Sequence, residues 1–551
     1  MRPMNMKSAF LKTRLLLAAM VAVASLTATA YAAAPGITGT GTAGVFNLTA
    51  QPAYLTQPDG QSIYSWGYGC STTPAATNFV PSTITTGFCS PMQVPGPTLV
   101  VTEGQTVMVN LANNLPTSAG NTSILFPGFS VTAAAAATQT AACTANFSTA
   151  ALQAPQGLLT TEAANGCAVT YSFVASTPGT HSYYSGTQGD LQVEMGLYGA
   201  IIVLPKTIAT ECTSGLAAKN LLAEAHWSEK DFRLAPAAYD HAKTCYDREY
   251  LFQFSEIDPR IHIQAQAQVA TAGSCTAGAS GCSLQIATEP YHPAYFMING
   301  RSMPDDMDPN YSYQYPHQPY NGNPHLHPGE IVLLRIIGQG RWQHPFHEHA
   351  NHVRILARDG NLILSQTDPK LLAGPALFTT TTTPGVTMDG LFYYTGRGLN
   401  WDMYAHNPNS GDATAKLTCT PDANGYNTGD PTAINYYEWC ADHNKPLQVA
   451  PFGDVASGGP ATLPDPNILT NGAWYGGSPY LGPDATTRAT SSTGVTPPSG
   501  TVANSPSGEA GFAFMWHSHN EREITTNNAF PGGMMMMMLV DSREFAIDES
   551  N

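Results

Sequence analysis

The segment PGPTLVVTEGQTVMVNLANNLP, from Pro95 to Pro116, constrains the fold more than any other stretch of the chain. A glycine turn leads into a run in which Val107, Val109 and Leu111 alternate with other residues, the two-residue period of a strand with one buried face. A similar unit, HPGEIVLLRIIGQG, runs from His327 to Gly340 and carries Ile331, Leu333 and Arg335 on the corresponding positions. Two such units so far apart point to two sandwich domains of related design. Composition agrees. Charged residues make up only 11% of the chain, while Gly (50) and Pro (42) are abundant, so short apolar runs lie between turn residues and long amphipathic helix patterns are rare. The alanine run Ala133–Ala137 reads as a short helix or as loop.

The first domain is expected over residues 34–205, closing with the apolar strand GLYGAIIVLP, and the second over 221–545. Residues 407–511 are rich in Gly, Pro, Asn and Thr and too long for an ordinary loop, which marks an irregular insertion in the second domain. Residues 1–32 have a secretory layout: Arg2, Lys7, Lys12 and Arg14, then an apolar run from Leu15 to Ala24 too short to span a bilayer, then small residues ending at Ala32. The expectation is export to the periplasm, cell surface or medium, and a soluble chain after cleavage.

Four basic and no acidic residues lie in that leader. The rest then carries 23 − 4 = 19 basic and 39 acidic residues, a net charge of −20, which argues against nucleic acid or anionic lipid as a partner. Ten cysteines remain, in neighbouring pairs: Cys70 and Cys89, Cys143 and Cys167, Cys212 and Cys245, Cys275 and Cys282, Cys419 and Cys440. In an exported chain these read as disulfides. Spacing leaves the connectivity open, with nearest-neighbour pairing preferred.

Chemistry concentrates in two histidine segments. RWQHPFHEHANHVRILARDG carries His344, His347, His349 and His352, and FMWHSHNEREITTNNAFPGGMMMMMLV carries His517 and His519. Alternation along a strand puts His347 and His349 on one face, and likewise His517 and His519. If the two strands are neighbours, four imidazoles converge, a donor set suited to copper, zinc, iron or nickel. Hydrogen-bonded core histidines are the plainer alternative. His325 and His327, beside a turn, read as surface residues, and His406 as a core or supporting histidine. Glu348, Glu521 and Glu523 read most safely as solvated carboxylates, with ligand, base and orienting roles open. The run Met534–Met538 looks like a soft copper(I) chelate, but core packing explains most of it equally well.

HPFHEHANHVRILARDG resembles the His-Pro-x-His-x-His-Gly-His motif of the multicopper oxidases, and WHSHNEREITTNNAFPGGM is similar to their closing His-Cys-His motif. Pro95–Pro116 resembles their opening cupredoxin strand, and PGTHSYYSGTQGDLQVEMGLYGAIIVLP the end of their first domain. The resemblance implies an all-β chain of two cupredoxin-type Greek-key β-sandwich domains, with the insertion in the second. It puts His344 on a blue-copper ligand and His347, His349, His517 and His519 on ligands of the trinuclear cluster. The departures are as telling. Leu125, Pro127, Tyr184 and Gly186 stand where the first domain supplies four histidines. Ser518 stands at the blue-copper cysteine, Glu523 near its second histidine, and Met534 near its axial ligand. A serine hydroxyl is a hard, poorly donating ligand, so no working blue-copper centre is expected.

Three readings follow. The first is a copper-binding protein, zinc being the alternative metal, that retains single-site oxidoreductase chemistry with a small-molecule or protein redox partner. The second is a non-catalytic metal-binding or surface-assembly protein on the same scaffold. The third is a zinc hydrolase, which nothing beyond the histidines favours.

Overall fold

The computed structural model describes residues 34–139, 143, 153–213, 230–327, 329–394, 418, 420–423, 425–430, 477–481, 510–541 and 547. The leader, His406, the Cys419 and Cys440 pair and most of the insertion lie outside these residues. The described molecule is nearly all β, as expected, and its strands form four sheets.

Two five-stranded sheets make the first sandwich. One is ordered Phe79–Val80, Gly36–Thr38, Leu99–Thr102, Tyr198–Leu204, Gly179–Tyr184, and the other Ser62–Cys70, Val45–Thr56, Thr106–Asn113, Ala168–Val174, Thr132–Ala135. Their facing side chains share one core that includes Leu48, Trp66, Leu99, Val107, Val109, Leu111 and Ile201. Thr106–Asn113 shows the expected alternation of buried and less buried residues. The alanine run departs from its local propensity. Thr132–Ala135 is an edge strand antiparallel to Ala168–Val174, because ladder hydrogen bonds outweigh the few tenths of a kcal/mol by which alanine favours helix. A 14-residue helix, Pro259–Ala272, was not expected. Asp258 caps it by accepting from Arg260 N, and Pro259 opens it where no donor is needed.

The second sandwich pairs a seven-stranded sheet with a six-stranded one. In the first of these, Ile331–Gly338 lies between Arg248–Ile257 and Thr387–Tyr393. Its Val332, Leu334 and Ile336 join Trp516, Phe346, Met536 and Met538 in the second core. The opposite face is buried too, so the simple alternation does not appear. Ile337 and Leu251 pack with Val100, Ala200 and Ile202 of the first sandwich. Arg335 is fully buried, donates to Glu249 Oε2 at 2.9 Å and to Thr180 Oγ1 at 3.2 Å, and lies 3.7 Å from Asp389 Oδ1. Thr180, from the first sandwich, and Tyr239 both donate to the Asp389 carboxylate at 2.5 Å.

The six-stranded sheet runs His325–Leu326, Met535–Asp541, Ala510–Ser518, His344–Glu348, Thr379–Thr382, with Gly477–Leu481 from the insertion paired to Ala510–Ser518. His325 and His327 are therefore buried rather than at the surface, because their segment adds a parallel edge strand in which His325 pairs with Leu539. Among the described residues four disulfides form, Cys70–Cys89, Cys143–Cys167, Cys212–Cys245 and Cys275–Cys282, all between sequence neighbours. No helix among these residues is long and apolar enough to cross a membrane.

Arg335→Ala removes the cation from between two buried carboxylates. It should destabilise the protein by about 3–5 kcal/mol, read from the midpoint of urea unfolding. A loss below about 1 kcal/mol would mean that the charges are compensated by other means.

Candidate metal centre

The two histidine strands are direct neighbours. Phe346 pairs with Ser518, His347 with His517 and Glu348 with Trp516, antiparallel. Residues opposite one another in such a pair share a face, so His347 and His517 stand side by side. Trp516 takes the other face, against Phe346 and Phe392, and its indole N–H donates to His349 O at 2.9 Å, which holds the turn after the strand. That turn contains Ala350 at φ 84°, a left-handed conformation, where the family motif has glycine. His519 follows Ser518, and its backbone N–H donates to Pro345 O at 2.8 Å.

These pairings gather the four expected imidazoles. Ring centroids are 4.7 Å apart for His347 and His349, 5.7 Å for His347 and His517, and 5.1 Å for His347 and His519. They are 5.1 Å apart for His349 and His517, and 5.5 Å for His517 and His519. His347, His349 and His517 are buried, with the half-exposed Phe378 against His347, whereas His519 is exposed and opens the group to solvent. Burial, reinforced by the neighbouring His517 and His519 rings, pushes the His347 pKa down to about 4, and burial lowers that of His517. Both rings are therefore neutral near pH 7, the form that binds a metal.

Their nitrogens are divided in a useful way. His347 Nδ1 contacts Thr379 Oγ1 at 2.9 Å, and His517 Nδ1 donates to Ser518 O at 2.7 Å, so both rings can present Nε2 to the group. The Nε2 atoms of His349 and His517 are 3.3 Å apart, close to the separation of about 3.3 Å for two nitrogens on one tetrahedral ion with bonds of about 2.0 Å. The rings stand mostly edge to face, and among the described residues no three His, Cys, Asp or Glu side chains enclose an ion as they stand. The donors fit a metal in number, kind and protonation, and ring rotation would have to bring more than two onto it.

His344 does not join them. Its Nε2 is 3.0 Å from Glu256 Oε2, and its Nδ1 forms an ion-pair contact of 2.9 Å with Glu523 Oε2, off the angle of an ordinary hydrogen bond. Burial disfavours the charged ring, but the two carboxylates outweigh it and lift the pKa to about 9. Ser518 Oγ donates to the same Glu523 oxygen, and Asn520 Nδ2 donates to the other at 2.9 Å. Glu256 also accepts from the backbone N–H groups of Arg341 and Trp342. Met534 is fully buried in the second core. The residues at the blue-copper position thus do not fit that centre. A protonated imidazole clamped by two carboxylates fills it. Glu523 and Glu348 are both buried, correcting the solvated reading, whereas Glu521 is exposed. Glu348 accepts from Thr380 Oγ1 at 2.5 Å, and burial raises its pKa to about 8.

In the first sandwich, Leu125 N–H donates to Tyr184 O at 2.7 Å, and a Cβ on Gly186 would lie 2.8 Å from Leu125 Cγ. Three of the residues at the missing ligand positions are therefore in contact, and they offer no imidazole. No sequence signal marks Glu256, which lies in an ordinary apolar strand, or Thr379 and Phe378 beside His347.

No family model matches the sequence, and no curated protein matches it. Solved structures with a similar outline include the blue copper oxidase from Nitrosomonas europaea, at 14% identity over 90% of this chain and 85% of that one, TM-score 0.41. Another is the copper nitrite reductase from Nitrosomonas europaea, at 18% identity over 65% and 86%, TM-score 0.35. A third is the laccase from Botrytis aclada, at 17% over 65% and 48%, TM-score 0.35. These neighbours are multicopper oxidases and copper nitrite reductases at low identity, and the likeness is one of fold.

His344 supplies a pH test. Its folded pKa lies above the unfolded value of about 6.5, so its stabilisation is complete below about pH 6.5 and is lost as pH rises through about 9. His344→Gln should remove roughly 3 kcal/mol of that slope between pH 6.5 and 9 in chemical unfolding. An identical slope in the variant would show that the ring is neutral.

Proposed function

We propose that the protein is an exported copper-binding protein on a cupredoxin scaffold. It holds one copper ion among His347, His349, His517 and His519 and has no blue-copper centre. The observation that carries this reading is the gathering of four mostly buried imidazoles from two paired strands. Copper is preferred to zinc because it ranks highest in intrinsic affinity for nitrogen donors. Bound there, copper would supply one-electron redox chemistry. The chain's own part is to fix Nδ1 of His347 through Thr379 Oγ1 and Nδ1 of His517 through Ser518 O, and to leave the exposed His519 side open. Any oxidoreductase activity is confined to this one centre, because the positions that would feed it with electrons hold Ser518, Glu523 and a clamped His344.

Protein refolded with equimolar copper and zinc should retain about one copper per chain by elemental analysis, and the His347→Ala, His517→Ala double variant should retain almost none. The copper-loaded wild type should show weak visible absorption and no intense blue band, with little four-electron oxygen reduction on phenols. Metal content unchanged in the double variant would overturn the site. A blue band would overturn the reading of the His344 position.

A further inference from the structure

We propose that the histidine cluster continues into a thioether face, and that this mixed face takes copper as Cu(I). The proposal rests on the four-histidine reading and specifies the form of the metal. Register carries it. Thr379 pairs with His347, His347 with His517, and His517 with Met535, so one row of side chains crosses four adjacent strands on a single face. Directly paired residues have Cβ atoms about 4.5–5.5 Å apart, within reach of a methionine side chain. Met515 pairs with Met537 on the same two strands, two residues along, and therefore lies on the same face.

The other face is the one committed to packing. Phe514, Trp516, Met536 and Met538 all belong to the second core, whereas Met535, Met515 and Met537 do not. Met535 is buried at 5% exposure, beside His517 in the register, and Met515 and Met537 are partly exposed.

The charge of the face selects the oxidation state. Its donors, imidazole and thioether, are neutral. Of the neighbouring carboxylates, Glu348 is on the core face and Glu523 is engaged by His344 and Ser518, and only the exposed Glu521 acts on a ring of the cluster, His517. A divalent ion would leave more charge uncompensated in a largely buried site than a monovalent one, and thioethers are soft donors that suit Cu(I). Zinc and Cu(II) draw on the imidazoles alone and gain nothing from the thioethers.

The full chain, anaerobic with ascorbate, is titrated with Cu(I) against bathocuproine disulfonate, and separately with Cu(II) and Zn(II). Copper X-ray absorption should show sulfur as well as nitrogen around Cu(I). Met535→Leu, which conserves volume and so keeps the fold, should weaken Cu(I) at least about tenfold and remove the sulfur, while changing Cu(II) and Zn(II) affinity less than about threefold. If Met535→Leu, and Met515→Leu with Met537→Leu, leave Cu(I) affinity and a nitrogen-only spectrum unchanged while His347→Ala, His517→Ala abolishes binding, the thioether face is refuted and the four-histidine site stands. If the histidine variant binds Cu(I) like wild type, the four-histidine reading fails and this proposal with it.

Discussion

Three residue pairs, Phe346 with Ser518, His347 with His517 and Glu348 with Trp516, hold the functional half of the molecule together. They join segments that are 168 residues apart at His349 and His517. Closing so long a loop costs only logarithmically more than closing a short one, which is why an insertion of 407–511 is tolerated between the two strands. Once the pairing forms, strand alternation decides everything nearby. Trp516 and Phe346 must enter the core, and the imidazoles must share the other face. The second core and the histidine cluster are two sides of one ladder.

The same ladder sets His344 apart. It stands on the strand that carries His347, yet its ring lies between Glu256 and Glu523 while the cluster histidines lie among one another. The two environments drive identical side chains in opposite directions, charged in one case and neutral in the other. A serine in place of a thiolate would leave a buried hydroxyl in need of an acceptor, and Glu523 supplies it. The substitutions are thus mutually consistent, a hydrogen-bonded ionic group occupying the space of a metal centre.

Much of this was legible in the sequence because it follows a period. Val107, Val109 and Leu111 announced a half-buried strand, and the two His-x-His pairs announced their shared face. The nearest-neighbour pairing preferred for the cysteines holds for the four disulfides among the described residues. What was not legible depends on contacts between distant segments. Nothing near Glu256 in YLFQFSEIDP marks it as the counter-ion of a residue 88 positions away. Arg335 occupies an apolar position of its strand, and only the pairing with two distant strands, which brings Glu249 and Asp389, and the packing of the first sandwich, which brings Thr180, show what awaits it. His325 and His327 sit beside a turn, and their burial depends on a parallel pairing with the final strand that no local pattern announces. Ala133–Ala137 has the composition of a helix and lies in a strand because the adjacent edge had donors and acceptors to satisfy.

The Asp389 carboxylate, met by Thr180 from one sandwich and Arg335 from the other, bears on how the chain can be divided. Each sandwich has its own core, so each looks like a module that recombination could shuffle. The shared carboxylate contradicts that appearance. The second sandwich taken alone would lose the Thr180 hydroxyl from its buried Arg335–Glu249–Asp389 network, and either half alone would bare its share of the apolar residues Val100, Ile202, Leu251 and Ile337. The heritable unit is therefore the pair. This sets a limit on how freely such a scaffold can exchange its first domain, even though that domain brings no imidazole to the cluster.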